Sequence, residues 1–196
     1  VLYSKTETGY SHIMKVSSAS SLKEDGVLPL RWLEGYREGL RILIPLSHTS
    51  WEDLSEEHVR VLRDLFEEDC IVGVERPAGQ PCANERAVVR LCETLQIPIG
   101  MTQRYTFLEE EDWQAYEVAR AIDRGEKLSD REQSVETKHQ YVHTTEEIER
   151  FYEDQVEWLD TMASFLTACQ FDMPPVHFHM PKFPVKDGMT AGEMLR

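Results

Sequence analysis

Basic side chains are scarce in this chain: 21 Lys and Arg stand against 36 Asp and Glu, a formal net charge of −15 at pH 7. Tight binding to a phosphate backbone depends on neutralising phosphates with Lys and Arg, so the chain by itself is expected to bind DNA little. Another chain or domain would have to supply most of any nucleic-acid contact. Cysteine is sparse too. Cys70, Cys82, Cys92 and Cys169 form no Cys-x-x-Cys pair, which excludes a disulfide-stapled small domain and fits thiols kept reduced in a cytosol. No uninterrupted apolar run reaches the roughly 18 residues of a membrane span, and no charged, apolar, small-residue leader opens the chain. A cytoplasmic protein with no membrane partner is the expectation. Gly73 and Gly79 lack the spacing of a phosphate-cradling loop and the Lys that would follow one.

Apolar material is sufficient for a core: hydrophobic residues make up 41% of the 196. A chain of this length buries roughly 70% of the surface its unfolded form exposes, enough for one domain without disulfides or a structural metal. The apolar pattern alternates between short runs and longer periodic stretches. Val1–Ser4, Ile42–Ile44, Cys70–Val74 and Ile97–Met101 read as strands. Between them, helices are predicted from Thr6 with Ile13, Met14 and Val16 on one face, and from an N-cap at Ser50, Asp53 or Ser55 through Val59, Leu62, Leu65 and Phe66. Further helices carry Ala87, Val88, Leu91, Cys92 and Leu95, and then Trp113, Tyr116, Val118, Ala119 and Ile122, ending at Gly125.

Strand and helix alternating over short connections predict a parallel α/β sheet covered by its crossovers. Ligand chemistry in such folds sits at the carboxyl ends of the strands. The positions to search are therefore those just after Ile44, Val74 and Met101. Beyond Gly125, His139–His143 is predicted as a short strand, Thr144 or Thr145 with Glu147 as a helix start, and Trp158, Met162, Phe165, Leu166 and Cys169 as a further helix. Met173-Pro174-Pro175 and the proline-spaced Met180–Pro184 break that pattern and read as a linker. The opening at Val1 inside a strand-like stretch, and the close at Arg196 inside a helix-like one, read as a piece of something longer.

Four segments taken in order resemble a known family: Thr6-Glu7-Thr8-Gly9-Tyr10, Glu38-Gly39-Leu40, Ile97-Pro98-Ile99-Gly100-Met101-Thr102, and Met180-Pro181-Lys182-Phe183-Pro184-Val185. Their order is similar to that in the polymerase-and-histidinol-phosphatase (PHP) domain at the start of bacterial DNA polymerase III alpha subunits, and the likeness covers nearly the whole chain. It implies an α/β fold forming part of a distorted β/α barrel, mostly parallel, and incomplete because the first strands would precede Val1. Residues 1–175 would be the C-terminal portion of that domain and 176–196 an extended linker toward the polymerase body.

Active members of the family gather His, Asp, Glu and Cys at the strand ends to hold two or three metal ions for phosphoester hydrolysis. Three of those ligands should fall in this chain. Where the family carries a cysteine after the second strand, this chain has Leu46 or, with a shift, Ser47, His48 or Thr49. Where the family has Thr-Asn-Asp-x-His, it has Thr102-Gln103-Arg104-Tyr105-Thr106, so Arg104 and Thr106 replace two ligands. Arg104 places a fixed cation where a metal would sit, and Thr106 lacks an imidazole.

The resemblance with these departures implies a non-catalytic module of a replicative polymerase, without catalytic residues, metal or cofactor of its own. Its partners would be the rest of the polymerase chain and other replisome subunits. The parent would be a DNA-directed DNA polymerase using Mg²⁺, with catalytic carboxylates beyond Arg196. A second reading is a metal-dependent phosphoesterase or 3′–5′ proofreading exonuclease using His48, His177 or His179. A third is a free-standing acidic adaptor. His177-x-His179 has no nearby Asp, Glu or Cys to complete a site, and His48 beside Asp53 reads as a solvated helix-entry histidine. Cys92 and Cys169 read as core thiols, and Glu109–Asp112 as acids facing a helix N-terminus rather than a Mg²⁺ site.

Overall fold

A computed structural model of the chain describes residues 1–45, 55–127, 135–173 and 190–194. Strand β1 (Leu2–Ser4) leads into helix α1 (Glu7–Ser21), followed by the short α2 (Arg31–Tyr36) and β2 (Leu40–Pro45). Then come α3 (Glu56–Phe66), β3 (Cys70–Glu75), α4 (Glu85–Leu95) and β4 (Ile99–Thr102). Helices α5 (Trp113–Arg124), α6 (Val135–Lys138), α7 (Thr145–Phe151) and α8 (Val156–Thr167) follow, with α9 (Ala191–Met194) last.

The four strands form one open sheet in the order β1-β2-β3-β4. β2, β3 and β4 run parallel, and β1 lies antiparallel to β2 at the edge. A mixed sheet with three parallel strands agrees with the predicted α/β class. Its antiparallel edge follows from connectivity: α1 and α2 together return the chain to the neighbouring position, where β2 pairs Ile42 with Leu2.

Alternation within the strands sorts the core. Ile42, Ile44, Cys70, Val72 and Val74 join Val59, Phe66, Val88, Leu91 and Leu95 of α3 and α4 in one cluster. Leu43 and Ile71, pointing the opposite way, pack with Met162 and Phe165 of α8 in a second. With cover on both faces, every residue of β3 is buried. Each such aliphatic side chain contributes about 2 kcal/mol by leaving water. Arg41 fastens α8 to the sheet, its guanidinium 4.4 Å from the Phe165 ring centroid and donating to the Phe165 carbonyl at 2.8 Å.

Local caps place the helix starts. Thr6 Oγ1 accepts from Gly9 N–H at 3.1 Å, Ser55 Oγ from His58 N–H at 3.3 Å, and Thr144 with Glu147 closes a reciprocal capping box. Gly125 ends α5 in the left-handed region at φ 65°. Of the three N-caps expected for α3, Ser55 is the one used; Ser50 and Asp53 lie outside the described residues.

Two expectations need correction. His139–His143 is not a strand: Val135–Lys138 is helical and Tyr141 makes a single bridge to Phe107. His143 turns back on the His139 carbonyl and Thr144 already caps α7, so these residues are spent on turn and cap contacts. Cys169 lies beyond α8, half-buried, with its thiol donating to the Phe165 carbonyl at 3.4 Å. The acids at 109–112 do precede the helix of Trp113: they form a short 3-10 turn in which Glu109 and Asp112 cap each other, and Asp112 is the N-cap of α5. Most of the expected linker at 176–196 lies outside the described residues.

Candidate functional site

The β3–β4 ladder pairs Glu75 with Thr102, so both chains leave the sheet side by side. That register brings Glu75 beside the segment Gln103-Arg104-Tyr105. The Glu75 carboxylate, almost fully buried, accepts the Arg104 backbone N–H at 3.2 Å. The Arg104 guanidinium comes within 3.8 Å of the same carboxylate while its side chain stays 49% exposed. Gln103 Oε1 is buried and has no hydrogen-bond partner. These groups border a cleft of about 470 Å³, lined also by Leu43 and Pro45 of β2, Met101, and Met162 and Leu166 of α8. The cleft opens at the carboxyl ends of the strands, where parallel α/β folds place ligand chemistry. Burial pushes the Tyr105 phenol at its border above the usual tyrosine range.

Behind Glu75, Arg76 is the centre of a buried network. Its Nε and Nη2 donate to the two oxygens of Glu85 at 3.0 and 2.7 Å, a planar two-point match. It also donates to Asp154 through Nη1 and, at 3.1 Å, through Nη2, and to the Phe151 carbonyl at 3.0 Å. The rings of Tyr152 and Trp158 each lie 5.3 Å from the guanidinium carbon. The hydrogen bonds to Glu85 raise the Arg76 pKa further, and Arg76 in turn holds the Asp154 carboxyl below its usual range.

The fully buried Tyr152 hydroxyl accepts from Arg76 N–H at 3.1 Å and lies 3.2 and 3.0 Å from the carbonyls of Val74 and Thr102. It can donate to one of them at a time. This hydroxyl clamps the ends of β3 and β4 together, and burial raises its pKa. Cys82, near the start of α4, donates to the Glu75 carbonyl at 3.0 Å.

Of the residues singled out from sequence, Arg104 comes to the cleft and Thr106 does not. The Thr106 hydroxyl donates to Gln140 Oε1 at 2.8 Å and its N–H to the Gln140 carbonyl at 2.7 Å. Leu46, His48, His177 and His179 lie outside the described residues. Cys92 is buried in the core beside Cys70, and burial pushes both thiols up to about 12.

Among the described residues no three His, Cys, Asp or Glu side chains converge as a metal ion requires. At the described ends of β3 and β4 the cleft offers the Glu75 carboxylate and the Gln103 amide oxygen, beside the Thr102 and Tyr105 hydroxyls, with a guanidinium 3.8 Å from that carboxylate. These described groups alone do not make up the several carboxylates and imidazoles of a two-metal centre.

Sequence reasoning missed Glu75, Arg76, Glu85, Tyr152 and Asp154. One signal was available: two opposite charges directly follow the wholly apolar Cys70–Val74, in a strand expected to be buried. Charges so placed require partners.

An open, mostly parallel α/β sheet with a charge-paired cleft at its strand ends is therefore the class of structure at hand. Among curated proteins, the chain is 28% identical over its full length to a DNA polymerase III subunit alpha of Bacillus subtilis (strain 168), of which it covers 18%. It is 24% identical, again over its full length, to the protein of the same name from Halalkalibacterium halodurans, covering 18% of that protein. Over 74% of its length it is 27% identical to the Pseudomonas fluorescens protein of that name, covering 12% of it. The chain thus spans less than a fifth of the length of these relatives. No family model matches it. No helix among the described residues is long and apolar enough to cross a membrane.

Proposed function

We propose that this chain is a segment of a bacterial replicative DNA polymerase alpha subunit, forming the C-terminal part of a PHP-type domain that has lost its hydrolytic site. Full-length similarity to DNA polymerase III alpha subunits supports the first part of the reading. The pairing of Glu75 with Arg104 carries the second. At a strand end where the PHP resemblance calls for metal-binding side chains, a guanidinium neutralises the neighbouring carboxylate.

In this reading the module supports the polymerase body and offers a surface to other replisome subunits, in the cytoplasm and with little DNA contact of its own. Residues 176–196 lead toward the polymerase body, and the dNTPs and Mg²⁺ of the polymerase reaction bind elsewhere in the parent chain.

Elemental analysis after loading with Mn²⁺ and Zn²⁺ and desalting tests this directly. Retention below about 0.1 equivalent per chain is expected, because a site lacking converging anionic ligands gives up its metal. Retention of one equivalent or more, accompanied by release of nucleotides from the 3′ end of a single strand, would overturn the reading in favour of an active phosphoesterase. His48, His177 and His179 would then be the first residues to mutate.

A further inference from the structure

Helix α5 is set on the protein with an apolar face outward. Its buried positions are Glu117 and Ala121. Ala115, Val118, Ala119 and Ile122 are exposed, Val118 at 41% and Ile122 at 76%. The spacing of these four, three then one then three residues, places them in one stripe along the helix. Within it Val118 and Ile122 form a ridge of the four-residue class, and Ala115 and Ala119 a parallel groove beside it. Ridge and groove are the elements by which one helix seats on another, and alanines in the groove permit close approach. Exposed Gln114, Asp123 and Arg124 give polar residues elsewhere on the same helix, as in an interface with an apolar centre and a polar rim.

The relatives indicate the occupant. Aligned over its full length with two of them, this chain accounts for only 18% of each, so more than four fifths of such a polypeptide lies outside it. We propose that the Ala115–Val118–Ala119–Ile122 stripe docks an aliphatic helix belonging to the remainder of the longer polymerase polypeptide. This rests on the reading given above and assigns it a specific surface: α5 is the face by which the module is held to the polymerase body.

The test uses the longer polypeptide encoded in frame with this chain, carrying benzoylphenylalanine in place of Ile122. Position 122 contributes little to the module's own packing, so the probe leaves the fold intact. Irradiation is expected to join position 122 to an apolar segment outside residues 1–196 of the same polypeptide. Ala119→Arg, which fills the groove on the exposed side, is expected to lower that yield at least about tenfold, the loss produced by some 1.4 kcal/mol of docking energy.

Crosslinks confined to residues 1–196, crosslinks between two copies, a yield unaffected by Ala119→Arg, or no crosslink at all would each overturn the docking proposal. They would leave the polymerase reading standing. A reading frame with no polymerase sequence adjoining the chain would overturn the reading itself.

Discussion

Arg76 and Glu85, nine residues apart in sequence, meet through two parallel hydrogen bonds of 3.0 and 2.7 Å, with the Arg76 side chain only 3% exposed. Taking two charges out of water is costly, and mutual attraction offsets that cost only while both partners remain. Glu85→Ala is expected to destabilise the fold by about 3 kcal/mol, because it removes the buried partner of a buried guanidinium and leaves only the more exposed Asp154 to balance its charge. Asp154 also binds Arg76, but its side chain is 58% exposed. Asp154→Ala should therefore cost less than about 1 kcal/mol. Urea unfolding of the two variants gives the comparison; equal costs would remove Glu85 from its central place.

Tyr152→Phe removes a hydroxyl that serves Arg76 N–H and the carbonyl of Val74 or Thr102 while leaving the ring in place. Buried polar groups left without partners make this more costly than an exposed hydroxyl, by about 2 kcal/mol. Hydrogen exchange should localise the effect: amides at the carboxyl ends of β3 and β4 exchange faster, while those of α1 do not change.

A pH dependence should arise at His143. Its ring has edge-to-face contacts with Tyr141 and Phe151 at 4.2 and 5.0 Å and with Tyr105 at 6.4 Å. Nε2 lies 3.0 Å from the His139 carbonyl, and Nδ1 faces Glu147 at 3.9 Å without a hydrogen bond. Burial holds its pKa below the ordinary 6.5, outweighing the hydrogen bond to the His139 carbonyl and the carboxylates of Glu147 and Glu110, which act in the opposite direction; the nearby His139 side chain adds a smaller lowering. The unfolded chain therefore takes up this proton at higher pH than the folded one does. Stability from this group is complete above pH 6.5 and is lost as pH falls from there through the lower folded value. His143→Gln should flatten that part of a melting-temperature profile. The loss due to Glu147, whose pKa lies below 4.5 through its bonds to Thr144 and Tyr141, occurs at lower pH and should persist.

Two alanine substitutions should have opposite signs. A Cβ on Gly9 would lie 2.0 Å from the Gly39 carbonyl oxygen, where α1 starts against the entry to β2. Gly9→Ala should cost more than about 2 kcal/mol, the steric cost exceeding the gain in helix preference. A Cβ on Gly35, inside α2, meets nothing within 4 Å. There the same change should stabilise by about 0.5 kcal/mol. Thermal unfolding of both variants measures the signs.

Much of this architecture was legible in the residues. The apolar runs at Ile42–Ile44 and Cys70–Val74 became β2 and β3, and capping chemistry marked the starts of α1, α3 and α7. Gly9 and Gly39, which stood in separate segments of the sequence resemblance, are in contact in the fold. The site was less legible. Arg104 was expected to displace a metal, but its partner was not foreseen because Glu75 lies 29 residues earlier. The segment 139–143 misled because its β-favouring Tyr141 and Val142 are outweighed by neighbouring turn and cap contacts.

The sequence by itself marked the four strands, the helices α1, α3, α4 and α5 that alternate with or follow them, the later α7 and α8, and the starts of α1, α3 and α7. Backbone preference and apolar period act over a few residues and can be read locally. Tertiary structure alone decided that Glu75 meets Arg104, that Arg76 draws Glu85 and Asp154 together, and that α5 turns Val118 and Ile122 outward. Those outcomes depend on which strand ends lie side by side, set by the Glu75–Thr102 register, and on which helix faces find cover. Both are properties of residues far apart in the chain.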